Sequence, residues 1–323
     1  MKVMAMSVLY LISNGSMARK DGGRIIVEKN GELVSRLPLR TISSILVGAN
    51  AQISTSVIFA CLSAKIPIFF LDRAGHLQGQ LIDEKTTVST IRKQCFYCDH
   101  PKEALSLATF IVEEKIRNQY NLLKGYTRTV KNDKIEQALL RIKAEKKNIS
   151  NAKNTDELRG IEGHCAKAYF VGIGVLLNES GWQWKERSRK PAKDEANALL
   201  NFGYAFLERE VRISIISQGL DTRLGILHSS NGRKDSLVYD LMELFRQPVI
   251  DRFVFKLLRL NVFKVDDFTY CKESGYRLTD EARVLWYQRY EEYMERIYSE
   301  YGGLSPREMI QKRVQEFRHK LMY

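Results

Sequence analysis

The pattern of apolar residues changes near residue 87, and this change limits the folds available to the chain. Before that point, short apolar runs alternate with turn residues, which is typical of strands. After it, turn residues become rare and apolar residues recur every three or four positions, which is typical of amphipathic helices. We therefore predict an α+β protein, with a small β-rich, sandwich-like domain over residues 1–86 and a larger all-α domain over residues 87–323.

The first domain contains a strong hairpin signal. Asn30-Gly31 lies between the aliphatic runs 24–28 and 33–37, and an Asn-Gly pair favours a tight two-residue turn. Ser54 precedes a segment with helical spacing, so one helix is expected over 54–62. The other segments predicted as strands are Ser7–Leu11, 43–47, 66–71 and Leu77–Leu81. We expect the join between the two domains near 82–92.

Long helices are predicted throughout the second domain. Their segments are 102–124, 132–148, 155–178, 194–217, 235–260, 280–301 and 305–320. Ser305, Pro306 and Glu308 combine an N-cap, a first-turn proline and a capping-box acid, which mark the start of the last helix. We expect this domain to be all-helical.

The chain carries a large excess of basic residues. It has 51 Lys and Arg against 38 Asp and Glu in 323 residues, which gives a net charge of +13. Basic proteins of this kind often bind a polyanion, and such binding weakens steeply with salt. A solvated basic surface without a partner is the alternative interpretation.

The cysteines and the apolar runs indicate in which cellular compartment the chain is expected. The five cysteines are too irregularly spaced for a disulfide framework. Cys95 and Cys98 form a CxxC pair near His100, so a three-ligand metal site is the alternative to free thiols in a reducing compartment. The longest apolar runs, near 42–49 and 56–71, contain Ser or Lys and are too short to span a membrane. We expect a soluble, cytoplasmic protein without membrane contact.

Glu162 lies on the apolar stripe of a predicted helix. The residues of this stripe are Leu158, Glu162, Cys165 and Tyr169. A carboxylate in such a place is costly unless it is paired or bound to a metal, although a glutamate at the edge of the stripe could also reach water. Gly160 and Gly163 each cost about 1 kcal/mol relative to alanine, which suggests that something large approaches this surface closely.

A second group of candidates lies between residues 223 and 246. His228 ends an apolar run and enters a polar loop, where it fits a metal ligand, a general base or a partly exposed structural histidine. Asp240 and Glu243 lie one turn apart on a predicted helix, and a hard cation would relieve their repulsion. The basic residues that would suit a phosphate near such a cation are Arg233, Lys234 and Arg246.

Two carboxylates and one imidazole in a basic protein indicate metal-assisted phosphodiester chemistry on nucleic acid. The sequence contains no HEXXH zinc motif, Walker-type loop, GxSxG motif or Rossmann glycine fingerprint. His164 lies two positions from Glu162, so the two side chains would point about 200° apart on a helix. We interpret His164 as a supporting or structural residue.

Several segments together resemble CRISPR-associated protein one, the spacer-acquisition integrase family. In the second domain they are 159–163 around Glu162, Arg187 with 191–207, 225–228 around His228, and 236–246. In the first domain they are 37–39, 45–48 and 68–75. The segments occur in the family's order and spacing over nearly the whole chain, so the resemblance is specific.

The resemblance implies roles for individual residues. The implied metal ligands are Glu162, His228 and Glu243, and the last position is Asp in some relatives. The implied supporting residues are Asp240, Arg187 and Asn197.

The resemblance also implies an activity and partners. The expected cofactor is Mg²⁺ or Mn²⁺, and the expected reaction inserts DNA fragments as spacers into a CRISPR array by attack of a 3′-hydroxyl. The expected partners are double-stranded and branched DNA, a second copy of the chain joined through the N-terminal domain, and the small ferredoxin-like acquisition partner. The alternatives are a structure-specific metal-dependent nuclease without an integration role and a DNA-binding scaffold whose acids only form salt bridges.

Overall fold

The computed structural model describes residues 7–48, 50–72, 77–82, 86–228 and 234–323. The chain divides into two compact units, Met1–Lys85 and Thr86–Tyr323. The division falls within the predicted join near 82–92. A β-rich first unit and a mainly helical second unit confirm the predicted α+β class. The dimerisation and catalytic roles assigned to the two units stay predictions.

The first unit contains eight described strands and one helix. The strands are β1 Ser7–Leu11, β2 Ser16–Asp21, β3 Arg24–Lys29, β4 Glu32–Pro38, β5 Ile42–Val47, β6 Gln52–Ile53, β7 Ile68–Leu71 and β8 Leu77–Leu81, and the helix is α1 Thr55–Ser63. One sheet has the order β1-β5-β7-β8, with β8 antiparallel to its neighbour, and the other has the order β4-β3-β2-β6. The strand β2 was not predicted, because only Ser16 and Ala18 of its six residues are buried.

The predicted hairpin is confirmed. Strands β3 and β4 pair antiparallel around Asn30 and Gly31, whose φ angles of 52° and 87° are those that a tight hairpin turn needs. Side chains from both sheets and from α1 form one apolar core, as a sandwich-like arrangement requires. The buried members of this core include Leu11, Ile25, Ile45, Val57, Cys61 and Ile68.

The second unit is built from helices. They are α2 Val88–Asp99, α3 Pro101–Tyr126, α4 Asp133–Lys146, α5 Thr155–Glu179, α6 Glu195–Ser217, α7 Ser236–Met242, α8 Arg252–Arg259, α9 Asp280–Glu295 and α10 Pro306–Met322. Most of the predicted helices agree with these bounds, and the capping box at Ser305 is present. Among the described helices, none combines the length and apolar composition that crossing a membrane requires.

The predicted single helix over 235–260 is wrong. The structure has α7, then a π-helical segment at Arg246–Asp251, then α8. Pro248 lies inside the π-helical segment, where it has no N–H to donate and its ring would clash in an α-helix. Its carbonyl accepts hydrogen bonds from the hydroxyls of Tyr293 (3.2 Å) and Tyr301 (2.6 Å), so distant residues help to fix the wider turn.

The prediction of an all-helical second domain is also wrong at one place. Strands β9 Phe268–Cys271 and β10 Gly275–Leu278 form an antiparallel hairpin. Gly275 has a φ of 71°, and a Cβ there would lie 2.3 Å from the carbonyl oxygen of Ala192. The hairpin therefore depends on a close contact with the loop before α6, which local sequence patterns do not record.

Candidate active site

The centre of the site is the ammonium group of Lys115. Lys115 comes from α3, and its Nζ contacts Oε1 of Glu162 on α5 and Oε2 of Glu243 at the end of α7. The side chains of Lys115 and Glu243 are 8% and 7% exposed, whereas that of Glu162 is 23% exposed. Three helices thus bring two carboxylates to one cation, with Glu162 nearest to solvent.

Glu243 is held ionised in a buried position. Burial raises the pKa of its carboxyl group, but the charges of Arg246 and Lys115 lower it to about 2. Arg246 Nε donates to Glu243 Oε1 at 3.0 Å. The other oxygen, Oε2, contacts the Lys115 ammonium, which also stabilises the ionised form by hydrogen bonding.

The π-helical segment holds Arg246 in place. The Arg246 guanidinium lies 4.5 Å from the ring centre of Tyr204, a cation–π distance. The hydroxyls of Tyr204 and Tyr169 donate to the two oxygens of Asp251 at 2.6 and 2.8 Å. Burial raises the pKa of Asp251 to about 6, although both hydrogen bonds lower it. Segments of this π type often occur at functional sites, and here one carries both Arg246 and Asp251.

His228 is oriented by Asp240. Its Nδ1 lies 2.6 Å from Asp240 Oδ1, and the fully buried carboxylate also accepts the backbone N–H groups of Ile226, Leu227 and His228 at 2.5 to 3.0 Å. A carboxylate surrounded by donors acts as an acceptor, so Nδ1 carries the proton of the neutral imidazole, and in that form Nε2 has the lone pair. The hydrogen bond to Asp240 raises the pKa of His228, and Glu243 and Lys115 are close enough for their charges to affect it.

The loop before His228 is fixed by tight packing. A Cβ on Gly225 would lie 2.6 Å from Cβ of Ser236, 2.9 Å from the His228 carbonyl oxygen and 3.0 Å from Asp240 Oδ2. On the other side of the loop, the Gln94 side chain exchanges hydrogen bonds with the backbone of Asp221 at 2.9 and 3.0 Å. The described segment from Asp221 to His228 is therefore held at several points along its length.

A second polar network lies beside the first. The Arg187 guanidinium donates to Oδ1 of Asn197 at 2.8 Å and to Oδ1 of Asn201 at 2.7 Å. It also lies 5.3 Å from the ring centre of Tyr204. Arg187 and Asn197 thus fix the loop before α6, and Arg187 also contacts the ring that supports Arg246. The supporting roles assigned to both residues stay predictions.

Residues 9–292 match the sequence model of the family described as CRISPR associated protein Cas1. The chain belongs to the Cas1 family. A relative named CRISPR-associated endonuclease Cas1 1, from Thermus thermophilus, is 30% identical over 285 residues, which are 88% of this chain and 85% of that protein.

Solved structures of the same fold include a CAS1 protein from Thermotoga maritima. It has a TM-score of 0.80 and 26% identity, over 98% of this chain and 97% of that chain. A casposase bound to an integration product has a TM-score of 0.80 and 23% identity, over 98% of this chain and 91% of that chain. The predicted family is therefore confirmed, and the Cas1 relatives of this chain carry the name endonuclease.

The structure brings the predicted Cas1 ligands near one another without joining them at one centre. In the part of the chain that the structure describes, no three His, Cys, Asp or Glu side chains form a ready metal-binding group. Glu162 and Glu243 face Lys115, and Nδ1 of His228 faces Asp240. The assignment of the two glutamates and His228 as metal ligands stays a prediction.

The donor chemistry nevertheless fits a divalent metal ion. Two hard carboxylate oxygens from separate helices already converge on a single positive charge, the ammonium of Lys115. Metal-binding imidazoles characteristically donate their other N–H to a carboxylate, which is the arrangement of His228 and Asp240. The set fits Mg²⁺ or Mn²⁺, and the imidazole favours Mn²⁺.

Other sequence predictions have separate outcomes. The five cysteines, all of them described, form no disulfide bond, and the Cys98 thiol donates to the Gly225 carbonyl. Free thiols in a reducing compartment stay a prediction. The side chain of His164 is 71% exposed and lies 3.4 Å from Glu145, which fits a structural residue. A Cβ on Gly160 or Gly163 would meet no described atom within 4 Å, so no packing within the described chain requires these glycines. Two predictions, the phosphate contact of Arg233 and the resemblance over 73–75, lie outside the described residues.

Sequence reasoning missed Lys115. A lysine in a charged helix is usually part of its solvated face, so the residue type alone does not indicate a site. The signal was its position on the apolar stripe of α3, four residues after Ile111 and seven before Leu122, both of which are buried. A polar residue on such a stripe indicates a buried partner, which here is the pair of glutamates.

Proposed function

We propose that this Cas1-family chain is a metal-dependent DNA integrase and endonuclease that inserts DNA fragments as new spacers into a CRISPR array. The observation that carries the proposal is the convergence of Glu162 and Glu243 on one cation, beside a histidine that Asp240 orients. When bound, Mg²⁺ or Mn²⁺ would polarise the scissile phosphate and stabilise the departing oxygen. Glu162, Glu243 and Nε2 of His228 would hold it.

The remaining residues of the site prepare these three donors. Asp240 keeps the Nδ1 proton of His228 in place, so the Nε2 lone pair remains available. Arg246 and Lys115 lower the pKa of the Glu243 carboxyl group to about 2, so this carboxyl group is ionised at neutral pH. Tyr204 supports Arg246 through its ring and is itself held by Asp251. Arg246 would also attract a phosphate group that enters the site.

The proposed reaction exchanges one phosphodiester bond for another. The 3′-hydroxyl of an incoming DNA fragment attacks a backbone phosphate of the repeat, and the 3′-oxygen of the cut strand leaves and takes up a proton. Because bonds of the same kind are made and broken, the reverse reaction should also occur. If water replaces the 3′-hydroxyl, the same site hydrolyses DNA, which is the alternative function and agrees with the names of the relatives.

The proposed partners follow from charge and from the family. A net charge of +13 favours binding to double-stranded and branched DNA through phosphates, with little base recognition. A casposase of the same fold has been solved with an integration product, which is a fold-level analogy for strand transfer. We further propose a homodimer through the N-terminal unit and assembly with the small ferredoxin-like acquisition partner.

A branched DNA that mimics a half-integrated fragment tests the proposal. The purified chain is incubated with this DNA and Mn²⁺, Mg²⁺ or EDTA, beside Glu162→Gln and the control Asp156→Asn. Asp156 lies on the same helix and is 78% exposed, and its ion pair among the described residues is a surface pair with Arg159, so its removal should be harmless. We expect metal-dependent rejoining of the target strand in the wild type and the control, and none in Glu162→Gln.

The other outcomes separate the alternatives. Metal-dependent cutting without rejoining, lost in Glu162→Gln, would support the nuclease. Rejoining at the wild-type rate in Glu162→Gln would show that the chemistry occurs elsewhere. If no lane reacts, the experiment is repeated with the small acquisition partner, and continued inactivity would contradict the integrase.

A further inference from the structure

The position of Lys115 is unusual for a lysine. Lysine side chains are rarely buried, because the ammonium group loses its hydration and the long stem loses conformational freedom. Here the side chain is 8% exposed and its ammonium contacts Glu162 and Glu243 at once. A buried charge of this kind is tolerated only because both partners are charged and close.

The charges of the cluster balance only when Lys115 is present. Glu162 and Glu243 supply two negative charges, and Lys115 and Arg246 supply two positive charges. Among the described ion pairs, Arg246 contacts Glu243 but not Glu162. Without Lys115, Glu162 would therefore lose its partner here and the two carboxylates would repel each other across the space that the ammonium fills.

We propose that Lys115 is a positioning residue that occupies the place of the cation, holding Glu162 and Glu243 together until a divalent metal ion binds. This inference rests on the proposed metal site. Lys115 then withdraws from at least one carboxylate, because two positive centres cannot share the same oxygens at close range without strong repulsion. In the metal-free protein, the ammonium of Lys115 neutralises the two carboxylates and so stabilises the fold. A metal ion must first displace this ammonium, which makes the metal affinity moderate.

Metal binding and stability of two lysine variants test the inference. Mn²⁺ is titrated by calorimetry into the wild type, Lys115→Met and the control Lys102→Met, which removes an exposed lysine from the same helix. We expect Lys115→Met to bind Mn²⁺ roughly tenfold more tightly, because the competing charge is gone. We also expect its metal-free form to melt at a lower temperature and Mn²⁺ to restore it. A merely structural lysine would give weaker Mn²⁺ binding when removed.

A third variant, Glu162→Gln, separates the possible failures. If the wild type has no saturable Mn²⁺ site that Glu162→Gln weakens, the proposed metal site is wrong and this inference falls with it. If that site exists but Lys115→Met binds Mn²⁺ no more tightly than the wild type, only the role of Lys115 is wrong. The two results are read from the same titrations.

A measurement on the unaltered chain covers the case in which Lys115→Met does not fold. The wild type is treated briefly with an acetylating reagent in Mn²⁺ or in EDTA, and acetylation of each lysine is measured by mass spectrometry. We expect acetylation at Lys115 to rise several-fold with Mn²⁺ relative to Lys102, because the ammonium then no longer bridges the two carboxylates. Equal acetylation in the two conditions would overturn the inference.

Discussion

Asp240 and Glu243 lie three residues apart at the end of α7 and are both buried, but they are neutralised in different ways. Asp240 receives three backbone N–H groups and the ring N–H of His228. Glu243 receives two long cationic side chains, Lys115 and Arg246. The first set of partners belongs to one loop, and the second comes from flexible side chains.

This difference separates a structural carboxylate from a carboxylate that can change partners. Backbone N–H groups cannot leave Asp240 unless the loop that carries His228 unfolds, so Asp240 fixes the geometry. Lysine and arginine side chains can rotate away without any change in the backbone, so Glu243 can accept another cation. In the structure each acid has its own partners, and a hard cation that relieves the repulsion of both acids stays a prediction.

The largest expected effect is that of Asp240→Ala. It leaves three buried N–H groups without an acceptor and removes the partner of His228, so we expect a loss of about 3–5 kcal/mol in the free energy of unfolding. Strand transfer should fall at least roughly 100-fold because His228 is no longer oriented. Urea denaturation monitored by circular dichroism measures the first effect, and the branched-DNA assay measures the second.

Asp240→Asn is the matched variant, since it keeps the size and one acceptor oxygen. We expect an intermediate loss of stability, because the amide can accept some of the N–H groups but its own NH₂ meets donors. If Asp240→Ala unfolds with a loss below about 1 kcal/mol, the loop does not depend on this carboxylate and the contrast with Glu243 disappears.

Glu243→Gln should give a stability difference that depends on pH. The folded-state pKa of Glu243 is depressed from 4.5 to about 2, so its ionised form stabilises the fold above about pH 4.5. That contribution is lost as the pH falls through 4.5 toward 2. We expect Glu243→Gln to be less stable than the wild type by about 3 kcal/mol at pH 7, with the gap closing on acidification. Urea unfolding at several pH values measures it, and a constant gap would contradict the assignment.

Gly225→Ala tests the rigidity of the segment that binds Asp240, because it changes the packing there without removing a charge. The added Cβ would lie within 3.0 Å of Ser236 Cβ, the His228 carbonyl oxygen and Asp240 Oδ2, so the loop must shift. We expect a loss of about 1–3 kcal/mol in the free energy of unfolding. Strand transfer should fall because His228 is displaced. The affinity for Mn²⁺ should change less than strand transfer, because neither Glu162 nor Glu243 is among the nearest neighbours of the added Cβ. Unaltered stability would show that the loop can relax, contrary to its close hydrogen bonding.

The sequence predicts the parts of this molecule that depend on local patterns. Helix bounds follow from periodicity and caps, the hairpin follows from Asn30-Gly31, and the family follows from motifs around Glu162 and His228. The sequence does not predict features made by distant contacts. The π-helical segment depends on hydroxyls from Tyr293 and Tyr301 that bind the Pro248 carbonyl, and the hairpin at 268–278 depends on Ala192.

The candidate site divides in the same way. Glu162, His228, Asp240 and Glu243 were predicted because each lies in a recognisable segment. Lys115 was not, because its role exists only when α3, α5 and α7 meet. Its place on the apolar stripe of α3 is visible in the sequence, but the two partners that make its burial acceptable both lie far along the chain. Glu162 follows 47 residues after Lys115, and Glu243 follows later still.

The smallest expected effect comes from Gly160→Ala and concerns the open side of the cluster at Glu162. The added methyl group meets no described atom within 4 Å and replaces a glycine in the interior of α5, so we expect a gain of about 1 kcal/mol in stability. The matched variant Gly172→Ala lies on the same helix, but its Cβ would lie 2.7 Å from the Leu123 side chain, so it should destabilise the fold.

The same pair of variants tests why α5 keeps a glycine that its own packing does not require. If Gly160 leaves room for DNA to approach Glu162, Gly160→Ala should be more stable in urea but bind branched DNA more weakly. Gly172→Ala should be less stable, with DNA affinity unchanged once the folded fraction is taken into account. Greater stability with undiminished DNA affinity in Gly160→Ala would mean that this surface does not contact DNA closely. In that case, DNA would have to approach Glu162 from the side on which Lys115 and Glu243 lie.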